Sequence, residues 1–135
     1  MDLSGLHKME GKDIRANRFR EGLSAPEFEA RFHPVAEIDA NLVEAWSELA
    51  EQASEPNIFY EHWFLRPALA QLDHHRDLQL FLLWAGEPQH SQLLGLLPLA
   101  PENRYGRWRV SYVQNWMHHN CFLGTPLVRK GFEAM

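Results

Sequence analysis

The chain has one cysteine in 135 residues. Cys121 by itself cannot close an internal disulfide, which excludes a stapled secreted scaffold and leads us to expect a reducing, cytoplasmic setting. Long apolar runs are also missing. A membrane helix needs about 18 apolar residues in a row, whereas the longest runs here, at 78–86 and 93–100, are strand-sized and interrupted. No basic-then-apolar segment opens the chain, so export is not expected. Positive charge is not in excess: 13 basic against 18 acidic groups leave a net −5, which gives no general attraction to nucleic acid. A P-loop, a Gly-x-Gly-x-x-Gly, a Gly-x-Ser-x-Gly and a His-Glu-x-x-His are all absent, as are internal repeats.

What is present is the composition of one folded domain. Apolar residues at 45% and charged ones at 23% exclude disordered and low-complexity classes. A chain this long buries roughly two thirds of its unfolded surface. The charge is unevenly spread. Residues 1–24 are mixed, residues 27–87 are strongly acidic, and residues 102–135 carry Arg104, Arg107, Arg109, Arg129 and Lys130 against Glu102 and Glu133. That basic stretch suits either an anionic ligand or, more simply, a solubilising surface.

Gly5, Gly11 and Gly22 interrupt residues 1–24, which read as a mobile leader before a domain over 25–135. Phe28, Ala30 and Phe32 alternate with Glu27, Glu29 and Arg31, a half-buried strand ending near residue 35. Asp39 is a good N-cap and Ile38 a staple for a helix that places Leu42, Trp46, Leu49 and Ala53 on one face and ends before Pro56. A second helix follows Asn57, using Phe59, Trp63, Phe64, Leu69 and Leu72. Pro67 inside it marks either a kink or the first turn of a separate helix. Residues 78–84 form a near-continuous apolar run, expected as a central strand covered on both faces. Gly86, Glu87 and Pro88 turn the chain into an antiparallel partner over 92–99, with Gly95 a candidate bulge and Pro98 near its end. Residues 103–106 turn again, and 107–116 alternate as a third strand. The expected architecture is α+β: one strand, two helices, then a three-stranded antiparallel meander under them. Trp46, Trp63, Trp84 and Trp108 fall on apolar faces and are expected in the core, while Trp116 leaves the last strand for a polar loop.

That loop holds the residues with chemistry. His118 and His119 stand beside Cys121, and a second pair, His74 and His75, lies upstream. Neighbouring residues of an extended chain face opposite sides, and no Cys-x-x-Cys or His-x-x-x-His spacing supports a metal. Cys121 as a nucleophile with a histidine base lacks a signature and an orienting acid. The structural alternative packs Cys121 and Phe122 and uses the histidines with Asn120 to tie up the loop. A further alternative makes the loop one wall of a ligand cleft.

Four segments, in order, resemble one known family: Asn57-Ile58-Phe59-Tyr60-Glu61 with Trp63-Phe64-Leu65-x-Pro67-Ala68-Leu69; Leu94-Gly95-Leu96-Leu97-Pro98-Leu99; Val113-Gln114-Asn115-Trp116-x-His118-His119-Asn120; and Phe122-Leu123-Gly124-Thr125-Pro126-Leu127-Val128. The stretch over about 55–131, and loosely 28–54, resembles the bacterial acetyltransferase-like proteins of cellulose-biosynthesis type, which have a doubled GNAT architecture. The resemblance implies the opening half of a GNAT fold and acyl transfer from acetyl-CoA, or another acyl-CoA, to an amine or a hydroxyl. In that chemistry backbone N–H groups of a Gln/Arg-x-x-Gly-x-Gly/Ala loop hold the CoA pyrophosphate, and a base or water relay deprotonates the acceptor. No such loop occurs in these residues, and Arg129-Lys130-Gly131 has the wrong spacing. The expectation is therefore an N-terminal fragment, silent alone, with no metal. Acetyl-CoA would be the cosubstrate of the longer protein and would not bind this segment. The expected partners are the C-terminal half of the same protein and a small-molecule or sugar-amine acceptor. Trp116, His118, His119 and Asn120 are the acceptor-cleft candidates; no catalytic or cofactor-binding residue is assigned. The competing expectation is a stand-alone, non-catalytic α+β module that binds a partner along an open edge at 107–116.

Overall fold

A computed structural model describes residues 27–73, 77–86 and 91–134. The expected leader over 1–24, the His74–His75 pair and the Glu87–Pro88 part of the first turn lie outside them. The elements run β1 (Phe28–Pro34), a 3-10 turn (Val35–Glu37), α1 (Ala40–Glu51), a second 3-10 turn (Ile58–Tyr60), α2 (His62–Leu72), β2 (Gln79–Ala85), β3 (Gln92–Glu102), β4 (Tyr112–Asn115) and β5 (Leu127–Val128). This is a mixed α+β architecture with one antiparallel sheet, in spatial order β1-β2-β3-β4, and β5 added to β3. Among the described residues no helix is long and apolar enough to cross a membrane.

Helix α1 starts where its cap puts it. The Asp39 carboxylate accepts the Leu42 N–H at 2.8 Å, satisfying one of the first-turn donors that have no carbonyl partner. Leu42, Trp46 and Leu49, spaced three and four apart, are its buried residues. In α2 the buried residues are Leu65, Ala68 and Leu69, and Pro67 sits within one continuous eleven-residue helix. Proline there removes the donor for the Trp63 carbonyl one turn back. Trp63 falls on the face opposite the buried residues at 65, 68 and 69, and Leu72, in line with them, is the last residue of the helix; both are exposed rather than in the core.

Both helices cover the same face of the sheet. Their buried residues join Leu80, Leu82, Leu93, Leu96 and Leu127 in one cluster. Along β2 the buried residues are therefore Leu80 and Leu82, while Phe81 and Leu83, pointing the other way, are half-buried. The expectation of a strand covered on both faces is corrected: the unbroken apolar run hid an alternation that only the helices impose.

Strand β3 is the axis of the sheet. It pairs with β2 along one side and, along the other, with β5 at Gly95 and Leu96 and with β4 from Leu99 to Glu102. Pro98 falls in the gap between β5 and β4. Its carbonyl accepts the Trp116 N–H at 2.9 Å, so its missing donor faces that gap and costs no ladder bond. The β2–β3 register slips once: Leu83 faces Gly95 and Trp84 faces Leu93. Leu94 is the extra residue of a bulge next to the glycine, and this lets Leu93 and Leu94 both be buried.

The third expected strand shrinks from 107–116 to Tyr112–Asn115. Since β3 ends at Glu102, residues 107–111 have no ladder to join. Tyr105 and Trp108 instead exchange two backbone hydrogen bonds of 3.0 Å around Gly106, whose φ of 59° suits a residue without Cβ. Trp108 is consequently 69% exposed, Trp84 is half-buried, and of the four tryptophans expected in the core only Trp46 is fully enclosed. Trp116, which leaves the last strand for the polar loop as expected, is 2% exposed.

Arg129 is the other departure. It was placed with the solubilising basic surface, yet only 4% of it is accessible. Its backbone N–H donates to the Leu94 carbonyl at 2.8 Å and its Nε to the Leu93 carbonyl at 3.0 Å, so it satisfies both carbonyls of the bulge. Its Nη1 bonds to Gln52 and lies 3.2 Å from Glu48, tying the bulge to the end of α1. Arg129→Met keeps the backbone bond to Leu94 but removes the guanidinium donors to the Leu93 carbonyl and to Gln52. We expect a loss of about 1–3 kcal/mol in equilibrium urea unfolding, with the circular-dichroism spectrum retained. Arg129→Lys is expected to recover little, since an ammonium cannot span both ends.

Candidate functional site

The candidate site is the loop that leaves β4 and crosses the C-terminal end of α2. Its root is Trp116. The indole is buried, and its Nε1 donates to Asp73 Oδ2 at 2.9 Å, which pins the loop to the C-cap residue of α2. His118 follows, half-buried, its ring stacked on Phe64 of α2 at 6.0 Å between centroids and tilted against Trp116 at 5.6 Å. Its Nδ1 accepts the Asn120 N–H at 3.2 Å, and its carbonyl accepts the Cys121 N–H at 2.9 Å, so residues 118–121 form one turn. The ring's Nε2 is buried without a partner among the described residues. Burial first, and the neighbouring His119 second, hold the imidazole below its ordinary pKa, so it is neutral at pH 7. His119 and Asn120 are exposed.

All four cleft candidates line one cavity of about 420 Å³, together with Leu72, Asp73 and Met117. An indole edge, two imidazoles, an amide and a carboxylate around a partly apolar hollow suit a small polar ligand with an apolar face. The geometry does not favour Cys121 as a nucleophile. The thiol is buried, donates to the Leu123 carbonyl at 3.5 Å, and is pushed up in pKa by burial, whereas a reactive cysteine needs its thiolate favoured. Phe122, expected to pack beside it, is instead 83% exposed, its ring set edge-on to Phe59 at 6.1 Å. Among the described residues no group of three or more His, Cys, Asp or Glu side chains could hold a metal ion. Among the described residues, each α-helix begins at a carboxylate residue, Asp39 or Glu61, with no glycine-rich turn to cradle a phosphate.

What fixes the loop is a pair of asparagines that the residue pattern did not single out. Asn57 is 2% exposed. Its Nδ2 donates to the carbonyls of Leu123 and Thr125, at 3.1 and 2.7 Å, while its Oδ1 accepts the Phe59 N–H at 3.1 Å. Asn115 donates to the Gly124 carbonyl at 2.7 Å and accepts the Tyr60 hydroxyl at 2.8 Å. The Tyr60 carbonyl in turn receives the Trp46 indole N–H at 2.7 Å. Gly124 fits because it has no side chain: a Cβ there would lie 2.5 Å from Met117 Sδ and 2.9 Å from Asn115 Nδ2. The signal for Asn57 was a polar residue directly before an apolar run, which local reading assigns to a helix start; its partners lie more than sixty residues away.

Compared with models of known protein families, with curated proteins and with solved structures, the chain matches none.

Two outcomes follow. Gly124→Ala makes both Met117 and Asn115 move; the exposed Met117 can swing aside, but the Asn115 amide is held by two hydrogen bonds, and we expect about 1 kcal/mol of destabilisation in urea unfolding. Burial pushes the Tyr60 phenol up to about 12, against about 10 in an unfolded chain. Below pH ~10 both states keep the proton and the contribution is complete; as the pH rises toward 12 the unfolded chain ionises first and stability falls. The difference in unfolding free energy between wild type and Tyr60→Phe is therefore expected to be constant from pH 7 to 9 and to shrink above pH 10 (urea midpoints at each pH). A difference that stays level across that range contradicts the buried phenol.

Proposed function

We propose that this chain supplies the acceptor-side half of a GNAT-type acyltransferase of bacterial, cytoplasmic type. In this reading it is the N-terminal part of a longer protein that moves an acetyl or other acyl group from acyl-CoA to an amine, or to a hydroxyl. The C-terminal half of the same protein provides the CoA-binding loop, and the acceptor is a small molecule such as a sugar amine. The observation that carries the reading is the order of elements: one strand, two helices on one face, then β2, β3 and β4 antiparallel in sequence order. The four segments that resemble the family lie along that path, and the last two enclose the loop around the cavity.

The cavity would receive the acceptor. Trp116 and Asp73 set the position of its wall, and the neutral His118 adds no positive charge to it. His119 and Asn120 offer polar groups to the acceptor. No step of acyl transfer is assigned to these residues, because the pyrophosphate cradle is not among the 135.

Calorimetric titration of acetyl-CoA into the 135-residue chain is expected to give no heat of micromolar binding. Clear micromolar binding would sink the claim that the CoA loop lies outside it. Continuation of the reading frame into a Gln/Arg-x-x-Gly-x-Gly/Ala turn is the matching positive outcome. The second reading is a non-catalytic binding module, favoured by the outer edge of β4, which pairs with nothing among the described residues and where Val113 is 55% exposed. It is the reading that stands if no such turn follows.

A further inference from the structure

Strand β1 is the longer open edge of the sheet. It pairs with β2 on one side, and among the described residues nothing pairs with the other. Which of its backbone groups face outward follows from two end bonds. The Glu27 carbonyl accepts the Gly86 N–H, and the Val35 N–H donates to the Leu78 carbonyl, each at 3.1 Å. In an antiparallel ladder a residue's N–H and C=O point the same way and the direction alternates. The odd-numbered residues of β1 therefore face β2, while Phe28, Ala30 and Phe32 direct N–H and C=O into the open. Pro34, next in that series, offers only a carbonyl and ends the usable edge.

The five residues Phe28-Glu29-Ala30-Arg31-Phe32 are symmetric in chemistry about Ala30. A second copy laid antiparallel along this edge, with the two-fold axis at Ala30, brings Phe28 against the partner's Phe32. Ala30 then meets the partner's Ala30, and Glu29 meets the partner's Arg31. The even-numbered residues become hydrogen-bonded pairs, giving roughly six new backbone bonds, and Glu29 falls in the closer, non-hydrogen-bonded pairs where side chains approach best. The neighbouring registers fail on charge: one sets Arg31 against the partner's Arg31, the other Glu29 against the partner's Glu29. Within one chain Glu29 and Arg31 already bond each other at 2.5 Å with about half of each side chain exposed; across the axis they exchange partners. Phe28 and Phe32, 40% and 59% exposed, lie on the face away from the helices, where the Phe32 ring meets Phe81 at 5.5 Å. Pairing extends that apolar face across both copies.

We propose that the protein forms a two-fold dimer through antiparallel β1–β1 pairing centred on Ala30. Free edges invite pairing, and self-complementary charge selects a second copy of this chain as the occupant.

The test is sedimentation equilibrium of the full 135-residue chain. The expected mass rises with concentration from 15.8 kDa toward twice that value. Arg31→Glu and Glu29→Arg, on an exposed strand, are each expected to weaken the dimer tenfold or more in its dissociation constant while circular dichroism stays unchanged. The double exchange Glu29→Arg with Arg31→Glu is expected to restore it, since the pairs re-form with reversed sign. Ala30→Cys is expected to cross-link to a covalent dimer with a short thiol reagent; Cys121 is buried and does not compete. A chain that stays monomeric throughout the micromolar range overturns the proposal and leaves the edge to another partner. A dimer indifferent to the charge reversals, not restored by the exchange, or not cross-linked at Ala30 overturns it equally.

Discussion

The buried side chain of Asn57 holds the molecule's two halves in register. Residues 116–126 have no ladder of their own, and most of them are exposed, so side chains must supply partners for the carbonyls that turn inward. Asn57 supplies two of the missing donors, to Leu123 and Thr125, and uses its remaining oxygen to start the 3-10 turn at Ile58–Tyr60. Asn115 repeats the arrangement from the other side through Gly124 and Tyr60. An unmade buried bond costs about 1–3 kcal/mol, more than a made one contributes. The amides therefore act chiefly by excluding every other path for the loop.

A second brace works at the opposite end of β3. The bulge at Leu94 buries an extra leucine but turns aside backbone carbonyls that a regular ladder would have used. Arg129 takes them, and its guanidinium reaches across to Gln52 and Glu48 at the end of α1. The irregular strand and the helix above it are thus fastened by one side chain, and β5 is the short piece of strand that delivers it.

Between these braces the sheet's two edges differ in character. β4 is four residues long and gives way at once to the aromatic loop around His118, with Trp116 and Phe64 as its walls. β1 is longer, exposed from Phe28 to Phe32 and chemically symmetric over those five residues. The proposed pairing through β1 would leave the cavity at the β4 end uncovered.

Much of the fold was legible because it is local. The cap at Asp39, the stripe of Leu42, Trp46 and Leu49, the alternation of Phe28, Ala30 and Phe32, and a bulge beside Gly95 each follow from spacing over a few residues. The tryptophans show where that reasoning ends. Trp63 stands beside Phe64 and is exposed, while Trp116 stands between Asn115 and Met117 and is buried: burial depends on which helix or strand arrives over each ring, not on its neighbours in the chain. For the same reason the third strand was overextended: its alternation is real, and β3 is simply too short to pair with all of it. Trp116, His118, His119 and Asn120 were recognisable as a polar-aromatic group, and their meeting with Leu72 and Asp73 around one cavity was not. By itself the sequence determined the periodic elements, the single antiparallel sheet and the symmetry of β1, all written in neighbours two to four residues apart. Only the tertiary structure decided that Arg129 is buried, that two asparagines hold the site loop and that β2 has one dry face. Those outcomes rest on partners between 9 and 77 residues distant, brought together by the burial of the core, and spacing along the chain carries no record of them.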